Sequence, residues 1–392
     1  MAWSKKQLLL YWSVVMVTTG SINTLSTKWA DLQTSENREG NMAKFNHPFF
    51  QATGMFVGET LCMLTFFIQR AVVRHRSRNS MELYTEPLQT ETFPPLVFYI
   101  PAICDMTATS LMYLGLTLTF ASSFQMLRGA VIVFTGLLSV AFLGRRLRYY
   151  HWMGIFSVLL GLIVVGLSDF LNTDTQGNTD MNAIITGDLL IVMAQIVTAT
   201  QMVVEEKFLT KYRVPPLLVV GWEGLFGFLT LSILLVPMYY IPGGMFSGNE
   251  RGVMEDAIDA FVQLGNNGTL LLAFLLNVFS IAFFNFAGVS VTKELSATTR
   301  MVLDSVRTLV VWLASIALQW QNFQYLQPVG FLVLVVGMML YNDVVIFPVL
   351  RRKGIVKDTP VDPPAPVSPA AQNRTQSPGQ DVVDDTSRID PF

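Results

Sequence analysis

The chain repeats itself: residues 121–161 read ASSFQMLRGAVIVFTGLLSVAFLGRRLRYYHWMGIFSVLLG, and residues 297–337 read ATTRMVLDSVRTLVVWLASIALQWQNFQYLQPVGFLVLVVG. The two stretches align without a gap, and each covers two apolar segments. Chance similarity between helices rich in Leu, Gly and Ser is the alternative explanation. The identical positions include Ala121, Leu127, Leu137, Ser139, Ala141, Gly154 and Gly161, which match Ala297, Leu303, Leu313, Ser315, Ala317, Gly330 and Gly337.

Composition indicates a membrane protein. Of the 392 residues, 52% are hydrophobic and 14% are charged, which is more apolar surface than one soluble core can bury. The 26 basic and 28 acidic residues lie mostly outside long uncharged stretches, so we expect no basic groove and no nucleic-acid binding. The two cysteines and three histidines show no ligand spacing. We therefore expect no metal site and no cofactor.

Ten apolar segments are long enough to cross a bilayer about 30 Å thick. The third and fourth run almost without interruption, and we divide them near Thr117 to Phe120 because a single span of that length is physically excessive. The predicted spans are residues 7–28, 48–69, 95–118, 120–143, 150–169, 184–206, 215–241, 269–291, 297–320 and 325–347.

Basic residues support this count. With ten spans, sixteen Lys and Arg residues outside the spans fall on one side, and Lys28, Arg38, Lys44 and Arg251 fall on the other. Because short cytosolic loops are rich in Lys and Arg, we expect both termini to be cytosolic. The alternative that residues 1–20 are a cleaved signal peptide stays open, since Lys5 and Lys6 precede an apolar run.

The repeat predicts an inverted architecture. Its copies are separated by five spans, and five is odd, so each repeated helix crosses in the opposite direction to its copy. We predict an all-α polytopic membrane protein with ten transmembrane helices in two inverted five-helix repeats, which places a substrate near the midplane. The predicted parts are a first repeat (1–169), a lumenal linker (170–183), a second repeat (184–350) and a disordered, Pro-rich cytosolic tail (351–392).

Polar residues inside spans are costly, so they indicate a wet cavity or buried partners. The fourth span contains Gln125 and Arg128, and the ninth contains Arg300, Asp304 and Arg307, with Asp304 between two cations. This excess of two positive charges predicts a clamp for an anionic solute, or else neutralisation by carboxylates elsewhere. The predicted cavity residues are Gln125, Arg128, Asp304, Arg307, Asn277 and Asn285.

A second set of charged residues is predicted to couple protons or to form ion pairs. Asp105 interrupts a long uncharged run, so it is either a proton carrier or the partner of an arginine. Arg300 lies near a helix end, where it could snorkel to the interface. Glu205 and Glu206 are expected at a solvated helix end. The predicted set is Glu59, Asp105, Glu223 and Arg300.

Two surface features are also predicted. Asn267-Gly268-Thr269 is a glycosylation sequon on the lumenal side, close to the next span. The paired glycines Gly154 with Gly161 and Gly330 with Gly337 are typical of helix packing, either within the scaffold or in a homodimer in the membrane lipid.

Longer motifs resemble a known superfamily. ASSFQMLRGA at 121–130, GRRL at 144–147, GDLL at 187–190 and SVTKELSATTRMVLDS at 290–305 resemble the drug/metabolite transporter superfamily, and within it solute carrier family 35, subfamily F. The resemblance implies two inverted five-helix units and lysosomal membrane residence, with the mitochondrion or Golgi as alternatives. It also implies the adenine nucleotide translocase as a partner. SATTR at 296–300 departs from the GDP-sugar carrier pattern.

The leading hypothesis is a secondary-active transporter that moves an organic solute, such as a nucleotide sugar or another organic anion, across an endomembrane by alternating access. The alternative is a non-transporting membrane adaptor that binds a partner such as the adenine nucleotide translocase. An enzyme is not expected, because no phosphate-binding Gly-rich Lys motif and no paired catalytic residues appear in the sequence.

Overall fold

Helices make up nearly all of the described structure. The computed structural model describes residues 5–79, 93–119, 124, 126–144, 147–176, 181–212, 214–244, 249, 251–294, 297–320 and 325–341. Its helices are α1 (Lys5–Asp31), α2 (Pro48–Asn79), α3 (Tyr99–Leu118), α4 (Val131–Leu143), α5 (Tyr149–Gln176), α6 (Met181–Tyr212), α7 (Pro216–Met238), α8 (Ala257–Asn266), α9 (Gly268–Glu294), α10 (Ala297–Ala317) and α11 (Leu326–Tyr341). Short 3-10 helices at Pro95–Phe98 and Arg128–Ala130 precede α3 and α4, and strands β1 (Thr34–Glu36) and β2 (Met42–Lys44) form an antiparallel hairpin.

Local sequence explains where several helices begin and end. Prolines at 48, 95 and 216 begin α2, the 3-10 turn before α3, and α7, where the missing N–H has no helical partner to lose. Gly144 ends α4 in the left-handed conformation, with φ of 65°. The expected division between the third and fourth spans agrees with the end of α3 at Leu118. Helices α5 and α6 extend into residues 170–183, the predicted linker.

Six of the described helices are long and apolar enough to cross a membrane. The other four predicted spans do not correspond to described helices that are both long and apolar enough, for two different reasons. Arg128–Leu143 and Pro328–Tyr341 are apolar but short, because adjoining residues lie outside the described ranges. Helices α1 and α10 are long but more polar, and α10 contains Arg300, Asp304 and Arg307. The six are Pro48–His75, Pro95–Leu116, Tyr149–Leu167, Asn182–Tyr212, Pro216–Met238 and Gly268–Glu294.

The most extensive helix contacts join distant parts of the chain. Four pairs dominate, namely α1 with α9, α2 with α7, α3 with α6, and α5 with α11. Smaller contacts join α2 with α9, α3 with α7, α4 with α6, and α1 with α10. Residues 342–392, which include the predicted disordered tail, lie outside the described part of the chain.

The paired glycines allow α5 and α11 to approach closely. A Cβ atom added to Gly161 would lie 2.9 Å from the carbonyl oxygen of Gly330, and one added to Gly337 would lie 2.9 Å from the carbonyl oxygen of Gly154. Because neither backbone can move aside cheaply, these four positions need glycine for the α5–α11 contact. The structure thus places the glycines in a contact within the chain.

A small cap formed by β1, β2 and α8 covers the N-terminal end of α2, in segments that lie between the predicted spans. Helix α8 packs Ala260 and Leu264 against Phe45 and Phe50 in one buried cluster. The missed strands and helix are short, and hydropathy patterns detect such elements poorly. The sequence also indicated no partner for His47, but its Nδ1 lies 2.8 Å from Oε1 of the buried Glu255.

Candidate functional site

A cavity of about 330 Å³ lies between α1, α2, α3, α6, α9 and α10. Its wall is apolar over much of its area, with Phe124, Met202 and Phe284 among the contributors. Charged side chains enter it from the four helices α1, α2, α3 and α10 and from the 3-10 turn before α4. The charged residues that line it are Lys28, Asp31, Glu59, Asp105, Arg128, Arg300, Asp304 and Arg307.

Two arginines share one carboxylate on the cavity wall. Asp304 Oδ1 lies 2.8 Å from Nη2 of Arg307 on the same face of α10, and Asp304 Oδ2 lies 3.6 Å from Nη2 of Arg128. The sequence predicted Asp304 between two cations of its own helix, Arg300 and Arg307. All three residues of this stripe line the cavity, but the second ion-pair partner of Asp304 is Arg128 from the other repeat copy and not Arg300. We call Arg128 and Arg307 the arginine pair.

Aromatic rings and a glycine position the arginine pair. The Arg307 guanidinium lies 4.6 Å from the ring centre of Phe284, and that of Arg128 lies 5.8 Å from Phe124. Such cation–π contacts hold the planar groups in place. On the other side, a Cβ added to Gly20 would lie 2.5 Å from Cδ of Arg307, so α1 makes room for this side chain with a glycine. The sequence analysis missed Gly20, which no local motif distinguishes.

Arg300 is buried against a carboxylate that the sequence analysis placed in solvent. Its Nη1 donates to Oε1 and Oε2 of Glu205 at 2.9 and 3.0 Å, and the Glu205 side chain is 0% exposed. Arg300 therefore does not snorkel, and Glu205 is not at a solvated helix end, because the packing of α10 against α6 covers both. Glu206 is also buried. The ion-pair prediction for Arg300 agrees with this geometry.

Three further carboxylates surround Arg300, and with Glu205 we call them the acidic cluster: Glu59, Asp105, Glu205 and Glu223. Asn285 Nδ2 donates a short hydrogen bond to Oε1 of Glu59. Glu59 and Asp105 line the cavity, whereas Glu223 is buried beside them and its Oε1 accepts no hydrogen bond from the described residues. Among the described residues, no Lys or Arg nitrogen lies within ion-pair distance of Asp105, so the alternative of an Asp105–Arg salt bridge is not observed.

The other predicted site residues have different surroundings. Asn277 is not among the residues that line the cavity, but its side chain accepts a short hydrogen bond from Asn23, which does line it. Gln125 lies outside the described residues. Asn267 Nδ2, where a glycan would attach, donates to the carbonyl oxygen of Thr34 at 3.0 Å, and its Oδ1 caps the first turn of α9. Its glycosylation remains a prediction.

The cavity has one polar and one apolar end. Asp31, Tyr113 and Leu116 also line a second cavity of about 400 Å³ beneath the cap over the N-terminal end of α2. An apolar cluster adjoins the acidic cluster, since Cys62 and Leu209 follow Glu59 and Glu205 by about one turn and Val219 precedes Glu223 by one turn. It includes Cys62, Phe66, Leu209, Val219, Val220 and Val289. The described structure is thus packed shut at the end that contains Arg300.

Comparison with known proteins agrees with this geometry. The Nucleotide-sugar transporter family model matches residues 5–220. "Solute carrier family 35 member F6" of Homo sapiens is 57% identical over 344 residues, covering 87% of this chain and 90% of the relative, and the Pongo abelii protein gives the same values. An uncharacterised protein of Schizosaccharomyces pombe is 30% identical, covering 86% and 98%.

A solved structure described as "Crystal structure of protein" shares the fold. It superposes with a TM-score of 0.52 over 86% of this chain and 97% of that chain, at 13% sequence identity. The similarity spans nearly the whole helical part of the chain. The family model and the relatives confirm the resemblance that the sequence motifs indicated. The chain is therefore a multi-pass membrane protein that belongs to the nucleotide-sugar transporter family, in the drug/metabolite transporter superfamily.

Proposed function

We propose that this protein is a secondary-active transporter that moves an organic solute bearing an anionic group across an endomembrane by alternating access. One observation carries the proposal: Arg128 and Arg307 both face the central cavity and share the single carboxylate of Asp304. One positive charge stays unbalanced at this point. A carboxylate or phosphate group would neutralise it, and guanidinium groups offer donors that match both.

Helix contacts support two equivalent five-helix units. In this proposal α1, α2, α3, α4 and α5 correspond to α6, α7, α9, α10 and α11. When each helix is replaced by its counterpart in the other set, the α1–α9 contact becomes the α6–α3 contact. In the same way, the α2–α9 contact becomes α7–α3, and the α4–α6 contact becomes α10–α1. All of these contacts occur. The α2–α7 and α5–α11 contacts convert into themselves. A pseudo-two-fold axis in the membrane plane would produce this pattern.

The two repeat copies place oppositely charged side chains next to each other. Arg128 in the first copy aligns with Asp304 in the second, and the two side chains meet at 3.6 Å. A symmetric scaffold with an asymmetric centre can bind a polar solute and still open to either side. The non-transporting adaptor does not account for this charged cavity. A nucleotide sugar is one candidate among organic anions, because it supplies phosphate groups.

The cellular part of the proposal follows from charge and from the relatives. Basic residues favour cytosolic termini, so the cavity that continues beneath the cap would open toward the lumen. We propose the lysosomal membrane, with the Golgi or mitochondrion as alternatives. A homodimer and a contact with the adenine nucleotide translocase remain predictions.

Reconstituted protein tests the function. Purified protein in liposomes should take up at least one member of a panel of nucleotides, nucleotide sugars, carboxylates and peptides. Arg128→Ala and Arg307→Ala should each reduce this uptake more than tenfold, because one arginine alone is neutralised by Asp304. Arg38→Ala, at an exposed arginine of the lumenal hairpin, is the matched control and should transport normally. Well-folded variants with unchanged uptake would contradict the clamp.

A further inference from the structure

The acidic cluster lies in the same cavity as the arginine pair, so the cavity wall has two poles of opposite charge. We propose that the transported solute has a cationic amine at the end opposite its anionic group, and that Glu59 and Asp105 bind this amine. This inference rests on the proposed function, because the arginine pair fixes the anionic end. It adds a second requirement, which selects zwitterions over simple anions.

The charge balance of the acidic cluster is the first argument. Glu205 takes both of its hydrogen bonds from Arg300, so this ion pair is neutral by itself. Glu59 and Glu223 are buried, and Asp105 is half-buried. Arg300 is their cationic neighbour, but within the described parts of the chain no Lys or Arg nitrogen lies within ion-pair distance of any of the three. Buried carboxylates without a cation are costly, so this pole attracts a positive charge.

Two of these carboxylates are accessible to a ligand. Glu59 and Asp105 line the cavity, one from α2 and the other from α3. Asn285 donates to Oε1 of Glu59 and thereby orients that carboxylate. Glu223 stands behind them with an oxygen that accepts no hydrogen bond from described residues, and this adds negative potential without blocking the cavity. An ammonium group, with three donors and one positive charge, suits this site.

The distance between the arginine pair and the acidic cluster limits how far apart the two charges of the zwitterion can be. Arg300, at the centre of the acidic cluster, is one helical turn from Asp304 and two turns from Arg307 along α10. At 1.5 Å per residue, these separations are about 6 and 10 Å along the helix axis, and they set the scale of the distance between the poles. An α-amino acid has both charges on one carbon and is too short to reach both poles. An ω-amino acid such as 6-aminohexanoate, about 7 to 8 Å between its charged ends when extended, is in range.

Protons compete with the amine for the carboxylates of the acidic cluster. If protons neutralise Glu59 and Asp105 permanently, the amine contributes nothing, and a simple carboxylate of the same length binds equally well. A matched pair of ligands separates the two cases. Hexanoate keeps the anionic group and the chain length of 6-aminohexanoate but lacks the amine.

Binding to purified full-length protein in nanodiscs provides the experiment. We expect 6-aminohexanoate to bind at least tenfold more tightly than hexanoate. In Glu59→Gln, and separately in Asp105→Asn, this preference should fall at least fivefold while hexanoate affinity is kept. Glu294→Gln, an exposed carboxylate at the end of α9, is the matched control and should keep the preference. The second acidic variant covers the case in which the buried Glu59 variant does not fold.

The outcomes separate this inference from the proposed function. Equal binding of hexanoate and 6-aminohexanoate, with loss of both in Arg128→Ala, would overturn the amine site and leave the anionic clamp intact. The amine site would also be overturned if Glu59→Gln and Asp105→Asn both kept the full preference for 6-aminohexanoate over hexanoate. Binding of neither ligand would contradict the clamp and the amine site together.

Discussion

Nη1 of Arg300 donates to both carboxylate oxygens of Glu205, at 2.9 and 3.0 Å, where both side chains are buried between α6 and α10. The two residues are 95 positions apart in the chain. Their ion pair therefore links the two helices at the closed end of the cavity. It also neutralises the one guanidinium that the acidic cluster surrounds.

Breaking this pair from either side should destabilise the protein. Glu205→Leu or Arg300→Met leaves one buried charge without its partner, which typically costs about 3–5 kcal/mol. Arg300→Met should cost more, because Glu59, Asp105 and Glu223 remain around the vacant position. The measurement is the thermal unfolding of detergent-purified protein. Single variants as stable as the wild type, or a Glu205→Leu variant that is the weaker of the two, would contradict this account.

The α5–α11 contact should tolerate no side chain at Gly161. An alanine Cβ there would lie 2.7 Å from Cγ of Leu334 and 2.9 Å from a backbone oxygen, so we expect Gly161→Ala to cost about 1–3 kcal/mol through overpacking. Gly166 on the same helix has no atom within 4 Å of an added Cβ. Gly166→Ala is thus the control and should be neutral or stabilising by up to about 1 kcal/mol. Equal melting temperatures for the two variants would refute the close contact.

The cap over the N-terminal end of α2 should depend on Glu255. Its Oε2 accepts from the backbone N–H groups of Phe49 and Phe50 at 2.9 and 3.3 Å, and its Oε1 pairs with His47. Because Glu255→Ala leaves these buried groups without a partner, we expect a loss of about 1–3 kcal/mol and faster proteolysis of the loop before α8. Glu255→Gln keeps one acceptor and should lose less. Glu39→Ala, at an exposed position of the hairpin, is the control, and an equal effect there would exclude a specific role for Glu255.

Asp31 gives a pH-dependent prediction. It lies three residues beyond the predicted first span, and burial raises its pKa from 3.8 to about 6, although a hydrogen bond from Gln51 Nε2 at 2.6 Å opposes this shift. A carboxyl group with a raised folded-state pKa destabilises the fold above that pKa, and the cost disappears as pH falls toward the unfolded value. The affected window is therefore about pH 4 to 6.

The variant Asp31→Asn removes this titration. It should be more stable than the wild type by up to about 3 kcal/mol at pH 7.5, and the difference should shrink as pH falls to 4.5. Melting temperatures of both proteins across this range provide the measurement. A difference that does not change with pH would show that Asp31 is not buried as an acid.

Much of the helical architecture follows from hydropathy. Long apolar runs have to form helices in a bilayer, because every backbone N–H and C=O needs an internal partner there. The runs therefore predicted the helices to within a few residues in most cases, and the break near Leu118 was expected. The same reasoning identified Arg128, Asp304 and Arg307 as buried charges, because a charge within an apolar run is costly wherever the helix packs.

The sequence by itself determined that these charges lie within helices and that two segments repeat. Only the tertiary structure decided which charges meet. Arg300 pairs with Glu205 instead of Asp304, Asp304 bridges to Arg128, and Asn277 binds Asn23 on the cavity wall. The physical reason is that hydropathy acts on each segment locally, whereas the partner of a buried charge depends on how each helix is rotated and where it crosses its neighbours. Those rotations are set by contacts between residues far apart in the chain.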